Sequence, residues 1–240
     1  MLSNPRSVTT ALERSFMERG DMEVVHEPWA CLFWALRGSG EFDCQLPEWI
    51  SSQRSFAEMR DQLLRRAKER MLFIKDFSFS THPLLEDTSF LADPNVKFIF
   101  LIRHPKPVIA SYYRKMNDFE PFCVDYAGLV ALFEAVWQAK GMKPPVIESE
   151  ELLKDPEGVL RGLCQAIDIP FTEKMLGWEK GMLPMWSHLA SWHKKAAEST
   201  SFQLTEAQED PFEGIPEEDL PPLEELLEKS LPNYHKLKST

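Results

Sequence analysis

Two short stretches carry residues whose types and spacing suit chemistry on anions. The first is Ser3-Asn4-Pro5-Arg6-Ser7-Val8-Thr9-Thr10-Ala11-Leu12. Ser7, Thr9 and Thr10 supply hydroxyls and Arg6 a fixed cation where a helix is expected to start. A helix start also offers unpaired backbone amides and the positive end of its dipole, so the segment is suited to cradle a phosphate. The plainer alternative is a Ser/Thr N-cap beside an exposed Arg. The pattern GxxxxGK[ST] is absent, and with it the lysine and the magnesium-binding hydroxyl, which counts against an ATP or GTP hydrolase or a kinase. The second stretch is Arg103-His104-Pro105-Lys106-Pro107-Val108-Ile109-Ala110-Ser111-Tyr112-Tyr113. Arg103 ends an apolar run, Pro105 opens a helix and Ser111 falls about two turns in. That separation suits a second phosphate; the alternative is an Arg paired with the acidic surface.

The elements that must position these stretches follow from hydrophobic patterning. Strand-like runs cover 22–26, 71–75, 96–102 and 145–147. The run Val96-Lys97-Phe98-Ile99-Phe100-Leu101-Ile102 is nearly all apolar, as a strand buried on both faces requires. Helical patterns cover 8–20, 55–69, 105–116, 125–140 and 156–168, the last opening on Asp155-Pro156-Glu157, which gives an N-cap, an N1 proline and a first-turn acid. Strands alternating with helices predict a three-layer α/β sandwich around a central, mostly parallel sheet. Ligands then bind beyond the carboxyl ends of the strands. The acidic segment from about 206 carries Leu220, Leu223, Leu226 and Leu227 at helical spacing. It is expected to form a short amphipathic helix packed on the domain of residues 1–205, with Glu224, Glu225 and Glu228 on its solvated face.

The chain has 240 residues with 43% hydrophobic and 27% charged, enough for a core and ordinary for a globular chain. No apolar run approaches the roughly 18–20 residues of a membrane span. The opening Met1-Leu2-Ser3-Asn4-Pro5-Arg6 reaches proline and charge at once, which leads us to expect a cytoplasmic protein without a secretory leader. The net charge of −11 divides unevenly, +1 over residues 1–115 and −12 over 116–240. An acidic second half disfavours nucleic acid as a partner. Cys31, Cys44, Cys123 and Cys164 form no CxxC or CxxH pair, so zinc is not expected and the four are read as small buried thiols.

Taken together and in order, the two stretches resemble the nucleotide-binding motifs of PAPS-dependent sulfotransferases (PAPS is 3′-phosphoadenosine 5′-phosphosulfate). The first is similar to the 5′-phosphosulfate loop, written PKSGTTW or PRSGTT. The second is similar to the 3′-phosphate motif, in which an Arg is followed eight residues later by a Ser, often as RNPKDVxxSYY. Glu148 to Pro156, Met175-Leu176-Gly177-Trp178 and Ser199-Thr200-Ser201-Phe202 also resemble family segments, so the likeness covers residues 1–205. It implies the P-loop NTPase-like sulfotransferase fold and sulfuryl transfer from PAPS to a hydroxyl or amine of a small-molecule acceptor, with no metal. Arg6, Ser7, Val8, Thr9 and Thr10 would hold the 5′-phosphosulfate, and Arg103 and Ser111 the 3′-phosphate. Departures from the pattern are Val8 in place of the loop Gly, Ala11 in place of an adenine-stacking Trp, and the absence of the late RKGxxGxWK segment. Lys194 and Lys195 are candidates for a partial substitute near the 3′-phosphate; plain surface lysines are the alternative.

Three residues compete for the role of base. Glu27, in His26-Glu27-Pro28-Trp29, matches the position of the catalytic Glu of tyrosylprotein and related sulfotransferases. His82 is the nearest counterpart of the catalytic His of the cytosolic type, at the wrong spacing, and His26 is the third. The family places a Lys after the strand that ends at Lys75, in contact with the transferring sulfuryl group; a snorkelling strand-end lysine is the alternative. Trp29, Trp34, Trp186 and Trp192 are candidates for an apolar or aromatic acceptor pocket, or for plain core. A phosphotransferase of kinase type and an inactive PAP-binding protein remain as rival readings. No membrane partner is expected, and a homodimer is left open.

Overall fold

The computed structural model describes residues 1–38, 48–116, 119–204 and 209–240. Five parallel strands, β1 (Leu2–Ser3), β2 (Glu23–His26), β3 (Leu72–Phe77), β4 (Phe100–Ile102) and β5 (Val146–Glu148), form one sheet in the order β2-β3-β1-β4-β5. The helices are α1 (Thr9–Glu18), α2 (Pro28–Leu36), α3 (Glu48–Ser51), α4 (Phe56–Ala67), α5 (Ser78–Thr81), α6 (Thr88–Ala92), α7 (Pro105–Tyr113), α8 (Tyr126–Lys140), α9 (Ser149–Lys154), α10 (Pro156–Ala166), α11 (Ala190–Glu198) and α12 (Leu220–Lys238).

Alternation along β4 shows why the sheet is covered on both sides. Phe98, Phe100 and Ile102 pack into one cluster with Leu129, Leu132 and Phe133 of α8. Ile99 and Leu101 point the other way, into a cluster with Leu12 and Phe16 of α1 and Leu160 and Leu163 of α10. A period of two in a strand sends successive side chains to opposite faces, so a run apolar at every position needs a helical layer on each. Each buried Leu, Ile or Phe is worth roughly 1.5–3 kcal/mol.

The regular part of β4 is shorter than the apolar run that predicts it. Its ladders cover two residues on β1, Leu2 with Phe100 and Ser3 with Leu101, and three on β5, Phe100–Ile102 with Val146–Glu148, and a strand is regular only where it is paired. Segment 28–36, which the sequence pattern leaves unassigned, is α2. Helix α12 is 19 residues long, with Pro232 inside it, not a short one. It lies on α7 and α8, burying Leu223 in one cluster and Tyr234 and Leu237 in another, while Glu224, Glu225 and Glu228 are exposed. The boundary expected at 205–206 lies outside the described residues, as does Cys44. Cys123 and Cys164 are buried thiols. Cys31 is not a free thiol but is disulfide-bonded, which corrects the expectation for that residue. Among the described residues no helix is long and apolar enough to cross a membrane.

The strand order changes direction at β1, with β3 on one side and β4 on the other. The residues following β1, β2, β3 and β4 therefore converge on the crevice where parallel α/β sheets bind ligands.

Candidate functional site

The loop between β1 and α1 is held from below. Ser149 Oγ donates to the Ser7 carbonyl (2.8 Å) and is also within 2.9 Å of the Ile102 carbonyl. Ser78 Oγ donates to Asn4 Oδ1 (2.6 Å) and Arg103 Nη1 to the Arg6 carbonyl (2.9 Å). Arg6 and Val8 both have φ of 66°, so the loop keeps a left-handed conformation at Val8 although no glycine is there. A β-branched residue in that region is strained, and such strain gathers at ligand sites. Helix α1 has no side-chain cap, which removes the N-cap alternative for its serine and threonines. Ser7 Oγ is fully buried and has no hydrogen-bond partner among the described residues. An unpaired buried hydroxyl costs about 1–3 kcal/mol unless something occupies it.

The two anion stretches meet. Arg6 Nε donates to Ser111 Oγ at 2.9 Å, and its guanidinium lies 5.6 Å from the Trp192 ring centroid. Burial, with the nearby Arg103 charge, lowers the proton affinity of Arg6. Arg103 also faces Glu150 at 3.6 Å. Arg6, expected at the 5′ end, thus shares Ser111 with the second stretch and joins both into one cationic patch. His104 caps α7, accepting from Lys106 N (3.3 Å), and Pro105 is its first residue.

Behind the patch runs a buried row of alternating charge. His26 Nδ1 lies 2.8 Å from Glu13 Oε1, and His26 Nε2 lies 3.6 Å from Glu27 Oε1. Glu27 accepts from Lys75 Nζ. Trp186 Nε1 donates to Glu13 Oε2 (3.2 Å). Burial alone would lift the Glu27 carboxyl, but the Lys75 ammonium and His26 overcome it and hold it at about 2. Burial alone would lower His26; the Glu13 and Glu27 carboxylates outweigh it and raise the imidazole above its ordinary value. The geometry comes from the backbone. Glu27 has φ of 49° and stands just before α2. Asp76, beside Lys75, accepts from the amides of Trp29 (2.7 Å), Ala30 (3.1 Å) and Phe77 (2.9 Å). It thereby ties the start of α2 to the end of β3, although burial lifts its carboxyl to about 6.

Arg6, Thr9, Thr10, Glu27 and Lys75 open into one cavity with Trp34, Phe77, Phe79, Tyr112, Trp192 and His193. Other expected site residues lie elsewhere. His82 is exposed and faces Gly128 on α8, so it does not reach the cavity as a base. His26 is a neighbour of Glu27 rather than a lining residue, because its ring is turned to Glu13. Trp29 is core, and Trp186 is fully buried. Lys194 and Lys195 are exposed, Lys194 facing Glu198 at 3.9 Å, and neither lines the cavity. The segments Met175–Trp178 and Ser199–Phe202 pair through a bridge between Gly177 and Ser201, with the Trp178 and Phe202 rings 5.2 Å apart.

Sequence reading missed Glu13, His193, Tyr112, Phe77 and Phe79. Glu13 did leave a signal, since Thr9, Glu13 and Phe16 fall on one helical face, and an acid on an otherwise inward face is worth noting. His193 left none. Among the described residues no group of three or more His, Cys, Asp or Glu side chains is placed to hold a metal ion.

An open α1 start, a cationic patch shared by two strand ends and a buried carboxylate–lysine pair suit a transferase that handles an anionic donor. A sulfotransferase domain model matches residues 1–240, and the chain belongs to that family. Two Arabidopsis thaliana proteins named branched-chain-amino-acid aminotransferase-like protein 1 and 2 are 32% and 31% identical to it. They match over 99% and 98% of this chain but only 41% and 40% of their own lengths. The chain therefore spans about two-fifths of those relatives. Two solved structures are also similar: the sulfotransferase domains from the curacin biosynthetic pathway and from the Synechococcus PCC 7002 olefin synthase. Each gives a TM-score of 0.46, at 17% and 19% identity, covering 88% and 95% of this chain and 83% and 91% of theirs.

Proposed function

We propose that the protein transfers a sulfuryl group from PAPS to a small-molecule acceptor. The observation that carries this reading is the single cavity in which Arg6, Thr9 and Thr10 at an uncapped helix start meet the buried Glu27–Lys75 pair. The orphaned Ser7 Oγ supports an anion at the loop. When bound, PAPS supplies a sulfur atom to which the acceptor oxygen bonds while the S–O bond to the 5′-phosphate breaks, PAP leaving with the electron pair.

The chain's own residues then have distinct tasks. Arg6, Ser7, Thr9 and Thr10 hold the phosphosulfate end, and Arg103 with Ser111 holds the 3′-phosphate. Charge at both ends fixes the direction of attack, and alignment is the larger part of catalysis in such displacements. Glu27 takes the acceptor proton. With Lys75 paired to it, its carboxylate is ionised but weakly basic. An anion at the α1 start competes for the Lys75 ammonium, and weakening that pair raises the proton affinity of Glu27 when a base is needed. The aminotransferase name of the plant relatives does not carry over, because this chain spans about two-fifths of them and matches a sulfotransferase domain along its length.

The test is PAP binding measured by calorimetry, with ATP–magnesium as comparison. A charge-assisted hydrogen bond is worth roughly 1.5–3 kcal/mol, so Arg103→Ala and Arg6→Ala should each weaken PAP about tenfold to a hundredfold. Unchanged binding in either removes that residue from the site. Binding of ATP–magnesium but not PAP replaces this reading with a phosphotransferase.

A further inference from the structure

Beyond the loop and the Glu27–Lys75 pair, the cavity changes character. Ala30, Trp34, Phe77, Phe79 and Leu189 form this wall. Phe79 is its centre: its ring stacks on Phe77 (centroids 5.7 Å apart, interplanar angle 17°) and meets Phe33 at 5.4 Å, Trp34 at 5.9 Å and Phe122 at 6.0 Å. The wall begins at the reacting pair itself, since Lys75 Nζ sits 4.3 Å from the Phe77 ring centroid. Among the described residues that line the cavity, the charged side chains are Arg6, Glu27 and Lys75. All three belong to the donor end or the proton-transfer pair. Beside the wall, the Tyr112 hydroxyl is engaged with Cys123 and His193 Nδ1 with Thr10 Oγ1. Arg37, which is not among the lining residues, lies over Phe33 and Phe122 and faces Glu120 at 3.5 Å, so its charge is turned to the rings and to an acid.

From this division we infer that the compound filling the apolar end is a neutral, flat hydroxyl compound of aromatic type, and not a sugar or a charged metabolite. This rests on the sulfotransferase reading for its role as acceptor. A sugar would give up several water hydrogen bonds on entering a wall that returns none, and a carboxylate or ammonium would lose hydration without a partner. A flat ring instead gains stacking and apolar burial on Phe77, Phe79 and Trp34. Its hydroxyl then reaches Glu27, the proton passing to the carboxylate as the O–S bond forms and PAP departs.

The test uses the full chain and three probes: 2-naphthol, 6-hydroxy-2-naphthoate and methyl glucoside. Each is titrated by tryptophan fluorescence with PAP present and absent, and then offered with PAPS while sulfated product is followed by mass spectrometry. The expected result is saturable binding of 2-naphthol, binding of the carboxylated analogue weaker by about tenfold or more, and none of the glucoside. Phe79→Ala should weaken 2-naphthol about tenfold while leaving PAP binding unchanged. Equal or tighter binding of the carboxylate or the sugar, or sulfation of either in preference to 2-naphthol, overturns the inference even if the donor reading stands. Binding of 2-naphthol without sulfuryl transfer supports the ligand class and counts against the donor reading.

Discussion

The Glu27–Lys75 pair makes the sharpest demand on the fold, and breaking it one partner at a time tests the account directly. Glu27 is 9% exposed and Lys75 1%. Burial pushes the Glu27 carboxyl up, yet it sits at about 2 against an ordinary 4.5. That gap corresponds to about 3 kcal/mol in favour of the ionised form in the folded state. The sign follows from the lowered value: the stabilisation is complete above pH 4.5 and is lost as pH falls from there toward 2. Lys75→Met leaves a buried carboxylate with the imidazoles of His26, its Nε2 at 3.6 Å, and His193 nearby. We expect it to lose about 3 kcal/mol at neutral pH. Glu27→Gln leaves the ammonium unpaired and should cost a similar amount. The double variant Glu27→Gln/Lys75→Met removes both charges and should recover most of the loss, costing about 1 kcal/mol and giving a coupling of about 5 kcal/mol. Urea denaturation of the four proteins at one neutral pH measures this. Single-variant losses under about 1 kcal/mol, or a double variant equal to the sum of the singles, would refute the paired-charge reasoning.

Two further outcomes follow from the same neighbourhood. Val8→Gly relieves a left-handed β-branched residue at φ of 66° and should raise stability by about 1 kcal/mol; a lower urea midpoint would show that the side chain matters more than the backbone. His26 is raised despite its burial, by Glu13 and then Glu27, so its stabilisation is full below pH 6.5 and fades as pH climbs through its folded value. Glu13→Gln should flatten that decline in a series of urea curves from about pH 6 to about pH 9, and an unchanged slope would mean that the dyad is not what titrates.

How much was legible in advance depended on how local the signal was. The apolar run at 96–102, the Asp155-Pro156 helix start and the Arg103–Ser111 stretch could each be read from neighbours in the chain. The capped start is realised, Asp155 Oδ1 accepting from Gly158 N at 3.0 Å. His82 lies outside the cavity because motif likeness gives a spacing but no direction, and here the chain turns its ring toward α8. Helix α2 was missed because Pro28-Trp29-Ala30-Cys31-Leu32-Phe33-Trp34 is apolar nearly all round and shows no helical stripe. The aromatic wall draws on α2, β3, α5 and the segment around Phe122, none of which signals the others.

By itself, then, the sequence determined the α/β alternation, the two anion stretches and the residue types at strand ends, because periodicity, capping and short motifs act over a few residues. Only the tertiary structure decided which of those residues share a site. Parallel pairing in the order β2-β3-β1-β4-β5 brought the ends of four strands to one crevice. It set Arg6 on Ser111, 105 residues away, and Lys75 on Glu27, 48 residues away. It also placed Glu13 and Trp186 behind His26. Long-range burial selects those pairings, because a charge removed from water must meet its counter-charge wherever the fold brings one.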